Sequence, residues 1–293
     1  MKVLHHSISQ LIIICLSLLS LTACSYSPSN LKSSYNNLGK EYVRELKQLA
    51  DYTPEQNKKL DIYGKELMQW HRKNRLPAYA SVMQSLSSKL DNPQEPSRTD
   101  LNDLIKLMAA YPNFHESQEN NTQLAQLASN LSDEQLAQLS KHIEDGGKDL
   151  SEYFQTSWET RKRDNVRMLS DTFSYLKVNL SNKQLDIVRK HVNYQRDLKD
   201  LFIASSDKWN NTLITLLSKR HEQGFVKKFA HHLSNDNLPK RLLQEAPAEA
   251  KHNDNISINM YKELFASLTK QQKSTLAAQF KSISKTLTEL MEG

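Results

Sequence analysis

Cysteine is nearly absent. Two occur among 293 residues, Cys15 and Cys24. Both lie near the N-terminus, so no disulfide framework can staple the body of the chain, and its fold must rest on packing. Glycine and proline are sparse as well, at 6 and 8 residues. Turn-rich β-sandwiches and barrels need more of both, whereas plentiful Leu, Lys, Gln and Ser favour helices. Long hydrophobic runs are missing too. The most apolar stretch, Leu11 to Leu21, falls short of the roughly 20 residues that span a bilayer. Catalytic signatures are equally scarce. There is no H-E-x-x-H, no histidine pair four residues apart, no G-x-S-x-G and no glycine-rich phosphate loop. Adjacent histidines such as His231-His232 point to different helix faces and chelate a metal poorly.

What is present begins with an address. One lysine, Lys2, precedes the short apolar run, and the run ends on small residues at Leu21-Thr22-Ala23-Cys24. A charged start, a short apolar core and a small-residue exit make a secretory signal peptide. The exit resembles the lipobox of bacterial lipoproteins. That resemblance implies cleavage between Ala23 and Cys24, with a diacylglycerol on the Cys24 thiol and an acyl chain on its new amino group. No other cofactor is expected. Three acyl chains, at about 0.8 kcal/mol per buried methylene, anchor a protein stably where one chain does not. Ser25 follows the cysteine. By resemblance to the sorting rule of enteric lipoproteins, this implies the periplasmic face of the outer membrane. The chain divides into a signal peptide over 1–23, a lipidated tether over 24–33 and a helical domain over 34–293. With 39 basic and 33 acidic residues the charge is mildly basic, and nucleic acid is not an expected partner outside the cytoplasm.

Four short segments share one grammar: Tyr52-Thr-Pro-Glu-Gln56, Leu131-Ser-Asp-Glu-Gln135, Leu180-Ser-Asn-Lys-Gln184 and Leu268-Thr-Lys-Gln-Gln272. Each reads as a capping box: the hydroxyl accepts from the backbone N–H three residues on, and the Gln reaches back to the cap's own N–H. The spacings are unequal, which excludes a solenoid of one repeated unit. The boxes divide the chain into helical blocks. Expected are helices over 34–52 and 54–90, the latter bent near Leu76-Pro77, then a loop over 91–97. Thr99 is expected to cap a pair of shorter helices. A block over 133–178 should be interrupted at Gly146-Gly147, and one stripe is expected to run over 182–232, with Val188, Phe202, Trp209 and Leu216 on a seven-residue lattice. A polar loop over 234–255 and a last helix over 270–289 complete an all-α fold, an elongated antiparallel bundle of long helices.

The boxes resemble those of periplasmic LTxxQ-motif stress proteins, which form cradle-like chaperones. A second resemblance rests on Tyr35-Asn36-Asn37, the Thr53 to Gln56 box, and Trp70-His71-Arg72 followed by Leu76-Pro77-Ala78-Tyr79. These match a family of uncharacterised proteobacterial lipoproteins, over roughly residues 21–230. The family implies a fold and an address but no activity.

The binding candidate is the segment carrying Trp70, His71, Arg72, Arg75 and Tyr79. Arginine beside aromatic rings suits anionic or glycan ligands. The opposing reading makes Trp70 and Tyr79 core anchors and the cations a complement to exposed helix carbonyls. The basic run Arg161 to Arg167 reads as a solvated face. Two functions follow: a non-catalytic, chaperone-like or binding envelope protein whose partner is a protein, lipid or cell-wall polymer, or an envelope enzyme whose site only the fold assembles.

Overall fold

The computed structural model describes residues 27–92, 95–110, 114–235, 241 and 244–292, and every regular element among them is helical. In chain order these are α1 (Pro28–Lys47), α2 (Pro54–Asn74), α3 (Leu76–Asp91) and α4 (Arg98–Ala110). A 3-10 turn (Phe114–Glu116) leads to α5 (Gln118–Ala128), α6 (Asp133–Tyr153), α7 (Trp158–Tyr175) and α8 (Asn182–Tyr194). The chain ends with α9 (Lys199–Ser218), α10 (Phe225–Asn235), α11 (Pro247–Ser267) and α12 (Lys270–Glu292). Among the described residues no helix is long and apolar enough to cross a membrane.

All four boxes open helices. Thr53, Ser132 and Ser181 each accept from the N–H three residues on, and the matching glutamines reach back to the cap N–H. Thr269 does the same for α12, with Gln272 N–H donating to its hydroxyl at 3.2 Å and its own N–H donating to Gln272 Oε1 at 2.9 Å.

Several boundaries differ from the sequence reading. Residues 28–33, expected to belong to a tether, are helical, because Ser27 caps a helix that starts at Pro28. The signal peptide, Ala23 and Cys24 lie outside the described residues. The cap of α4 is Ser97 rather than Thr99, and Asp100 accepts from the Ser97 N–H at 2.7 Å. Gly146 and Gly147 do not interrupt α6, which continues to Tyr153. Gly147 instead lets α9 come close, since a Cβ there would stand 3.2 Å from Asn210 Nδ2. The single stripe over 182–232 is three helices. Asn253 holds the first break open, accepting from Arg196 N–H at 2.8 Å and donating to Arg196 O at 2.9 Å. Gly224, at φ 82°, makes the left-handed turn before α10. The polar loop is also shorter than 234–255, because α11 begins at Pro247.

Two buried clusters hold these helices. The larger draws on α1 to α4, α7, α8, α11 and α12, with Leu67, Leu76, Leu86, Leu264 and Leu276 essentially sealed from solvent. The smaller joins α5, α6, α9 and α10 around Ile143, Leu217 and Phe229. Helix α5 packs against both α2 and α10 and so touches both clusters. Helix α12 runs antiparallel along α3. Ser87 Oγ donates to Ala277 O at 2.9 Å near one end, and Ser284 Oγ donates to Ala80 O at 2.8 Å near the other. Helices α1 and α2 cross where Gly39 and Gly64 face each other's chains, a contact with no room for a Cβ on either side.

Candidate functional site

The four capping boxes meet in two pairs. At the first, Gln56 Nε2 donates to Gln135 Oε1 at 3.1 Å, and Gln135 Nε2 returns a bond to Gln56 Oε1 at 2.7 Å. Gln56 Nε2 also donates to Asn130 O at 3.3 Å, and Gln135 Nε2 to Asp51 O at 2.8 Å. At the second, Gln184 Nε2 donates to Gln272 Oε1 at 2.9 Å, and Gln272 Nε2 to Gln184 Oε1 at 3.1 Å. Gln184 Nε2 also reaches Ser267 O at 3.0 Å, and Gln272 Nε2 reaches Asn179 O at 2.8 Å. One rule covers both pairs. Each glutamine binds its own cap with its oxygen, its partner's oxygen with its nitrogen, and the carbonyl two residues before its partner's cap. A carboxamide offers two lone pairs and two N–H donors, and here all four are used. These glutamine clasps join the starts of helices far apart in sequence, α2 with α6 and α8 with α12.

An open cleft lies beside each clasp. The first, of about 660 Å³, is rimmed by hydroxyls, amides and carboxylates, among them Ser129, Glu134, Gln138 and His221. Gln138 also grips the chain before α2, accepting from Asp51 N–H at 2.7 Å and donating to Asp51 Oδ2 at 2.6 Å. Buried Arg220 braces the same clasp from the end of α9. Its Nε donates to Leu131 O at 2.9 Å, and its guanidinium pairs with Asp133. The second cleft, of about 250 Å³, touches Lys183, Ile187 and Thr269.

The Trp70–Tyr79 segment forms the corner between α2 and α3, and the Tyr35 motif meets it there. Tyr35 Oη and His71 Nδ1 share a hydrogen bond of 2.8 Å, and His71 is fully buried. The rings of Tyr79 and Phe114 close around the imidazole, with centroids 5.8 and 5.3 Å away. Burial drives the Tyr35 phenol well above its usual range, against the opposing pull of the Arg72 charge. Arg72 donates to Asn36 Oδ1 at 3.2 Å and covers the Tyr35 ring. Arg75 pairs with Glu116 and lies 5.4 Å over the half-buried Trp70 ring. Thus Tyr79 and His71 are core, Trp70 packs at the edge of the core, and both arginines tie helices together.

The basic run is solvated at Arg163 and Arg167, as expected, but not at its first residue. Arg161 is not solvated: it is buried, donates to Phe154 O at 3.0 Å and Thr156 O at 2.6 Å, pairs with Asp197, and sits over the Phe154 and Trp158 rings. Among the described residues no group of three or more His, Cys, Asp or Glu is placed to hold a metal ion. Sequence reasoning found every box but missed the pairing and the Arg220 brace. The separations within the pairs, 79 and 88 residues, are unequal and gave no signal of the pairing.

Fold and site together define an all-α protein in which four helix starts are clasped two by two through reciprocal glutamines. Residues 48–239 match the model of DUF6279, a family of unknown function, and the chain belongs to that family. The matched span holds the first clasp and the corner segment whole, but only one side of the second clasp. No curated protein and no solved structure shows a significant match.

Proposed function

We propose that this protein is a lipid-anchored envelope protein that binds a cell-wall polymer without transforming it. On this reading the signal is cut after Ala23 and Cys24 carries the diacylglycerol and the N-acyl chain. The helices then form an elongated antiparallel bundle on the periplasmic face of the outer membrane. The observation that carries the binding function is the first cleft, open and rimmed by Ser129, Asn130, Glu134, Gln138 and His221. Such a surface suits the hydroxyls, amides and amines of a glycan crosslinked by peptides.

A cradle for unfolded chains, as in the LTxxQ stress proteins, calls for a contiguous apolar surface. Here the large apolar side chains most exposed among the described residues, Ile62, Met168 and Tyr194, sit on three different helices. That favours a polar ligand. Glu134→Gln and His221→Ala, both at exposed positions on the rim, should leave the melting temperature nearly unchanged yet abolish retention of the protein on isolated peptidoglycan. Retention at the level of the unaltered protein in both variants would overturn the cleft as the binding surface. Mass spectrometry of the mature N-terminus tests the anchor separately and should show a triacylated Cys24.

A further inference from the structure

The lipid expected on Cys24 fixes more than a location, because the chain between it and the fold is short. Resting on the anchored reading above, we propose that the corner where α2 meets α3 faces anionic phospholipid headgroups. Both glutamine clasps, with their clefts, then point away from the bilayer.

Three residue steps separate Cys24 from the cap Ser27, and an extended chain covers at most about 3.6 Å per step. The acyl chains therefore enter the membrane within about 11 Å of the start of α1, whatever path the tether takes. Helix α1 lies antiparallel to α2. Tyr35 is level with His71 and Asn36 with Arg72, while Lys47 bonds Asp61 at 2.7 Å toward the opposite ends. At 1.5 Å per residue, Pro28 then lies about 6 Å beyond the level where α2 ends at Asn74.

The same end gathers the start of α3 and the finish of α12. Ala80 O accepts from Ser284 near the start of α3, and Lys32 of α1 pairs with Glu289 at 2.5 Å. Helices α2 and α12 both run toward this end, so the clasps at their starts lie at the far end of each. These helices have 21 and 23 residues, which places the clasps about 30 and 35 Å of helix away from the corner.

The chemistry of the near end suits anionic headgroups. Lys73 is exposed and Arg72 half-buried, with its guanidinium on the neutral Asn36. Among the described residues no carboxylate pairs with either. Of the acidic groups nearby, Glu116 pairs with Arg75 and Glu289 with Lys32 and Lys285, while Glu292 stands exposed at the end of α12. Trp70 at the half-buried edge and the exposed Pro77 and Ala78 complete an interfacial rim of the kind that seats at headgroup level. Two cations without a carboxylate partner this close to a covalent lipid add a second, electrostatic attraction to the acyl anchor.

The test uses the full lipidated protein in vesicles of phosphatidylethanolamine and phosphatidylglycerol. Once Cys15 leaves with the signal and Cys24 is blocked by lipid, one added cysteine is a unique site for a fluorophore. Lys73→Cys reports the corner, Lys58→Cys the first clasp end, and Lys183→Cys the second. A quencher in the headgroup region should quench the label at 73 several-fold more than those at 58 and 183. Lys73→Glu combined with Arg72→Gln should weaken the preference for phosphatidylglycerol vesicles without loss of the lipid. A lipidated protein with equal quenching at 73, 58 and 183 lies flat or tumbles, and overturns the orientation while the anchor stands. A Cys24 without lipid overturns the anchored reading, and the orientation with it.

Discussion

Gln135 is the more buried glutamine of the first clasp, almost wholly shielded from solvent where Gln56 is half-buried. Gln135→Ala strips the Ser132 N–H and the Asp51 carbonyl of a partner at once. It should cost about 2–3 kcal/mol, the scale for leaving buried polar groups unsatisfied, read from the urea midpoint of the soluble domain. Ser181→Ala removes only a cap hydroxyl and should cost about 1 kcal/mol. An unchanged midpoint would mean that Ser181 adds nothing as a cap.

At the corner, Trp70→Ala should cost about 2–3 kcal/mol, less than a fully buried tryptophan because the ring is half-exposed. Arg75→Ala, which frees Glu116 and uncovers Trp70, should cost about 1 kcal/mol.

Asp100 carries part of the acid dependence. Burial alone would raise its pKa, but bonds from Lys89, Ser97 and Ser85 outweigh this and hold it at about 2. The folded state thus favours the charged form relative to an unfolded value of about 3.9. Its contribution is complete above that value and disappears as pH falls through about 2. Asp100→Asn should cost roughly 1–2 kcal/mol at neutral pH and flatten the fall in stability between about pH 4 and 2. Urea titrations at several pH values measure both effects, and parallel curves for the two proteins would remove Asp100 from the account.

Among the elements, the α1–α2 crossing gives an asymmetric pair of glycines. A Cβ at Gly64 would fall on Val43 Cγ2, and one at Gly39 on Met68 Cγ. Valine is stiff at χ1, whereas methionine has three rotatable bonds and yields. Gly64→Ala should therefore destabilise by about 2–3 kcal/mol through overpacking, and Gly39→Ala by about 1 kcal/mol or less. Equal losses in thermal melts would show that the backbone, not the neighbouring side chain, absorbs the strain. The helix breaks follow the same logic of neighbours. The apolar lattice of 182–232 continues past Tyr194 through Phe202 and Trp209, and the local signal at the break is Asp197, which accepts from Lys199 N–H at 3.0 Å. The break comes from Asn253, a residue of another helix that captures the Arg196 backbone. Conversely, Gly146-Gly147 looks like a breaker but is carried through by α6 because α9 packs against it.

At the scale of the whole molecule, the family span of residues 48–239 leaves out α1, α11 and α12. Those helices supply Tyr35, Leu38, Ile258, Leu264, Leu276 and Phe280 to the larger core, and α12 lies along most of α3. A chain of residues 48–239 alone would expose that core and leave Gln184 without Gln272. It should show helical circular dichroism with no cooperative thermal transition, as loosely packed states do. A sharp transition in that fragment would show that the matched span folds on its own.

Helix starts were legible in the sequence because capping is a contact over three residues: Thr53, Ser132, Ser181 and Thr269 each carry their partner glutamine with them. Scarce glycine and proline likewise announced an all-α protein. The pairing of the starts was not legible. Each glutamine uses its oxygen locally, but its two N–H donors are committed to a partner 79 or 88 residues away, and only the packing of α2 beside α6 and α8 beside α12 brings that partner within reach. The corner obeys the same division. Trp70, His71 and Arg72 stood out as a motif, yet their role depended on whether Tyr35 and Asn36 came to meet them. Local chemistry is written in the order of the residues, but a buried imidazole or a shared amide takes its meaning from neighbours that only long-range packing selects.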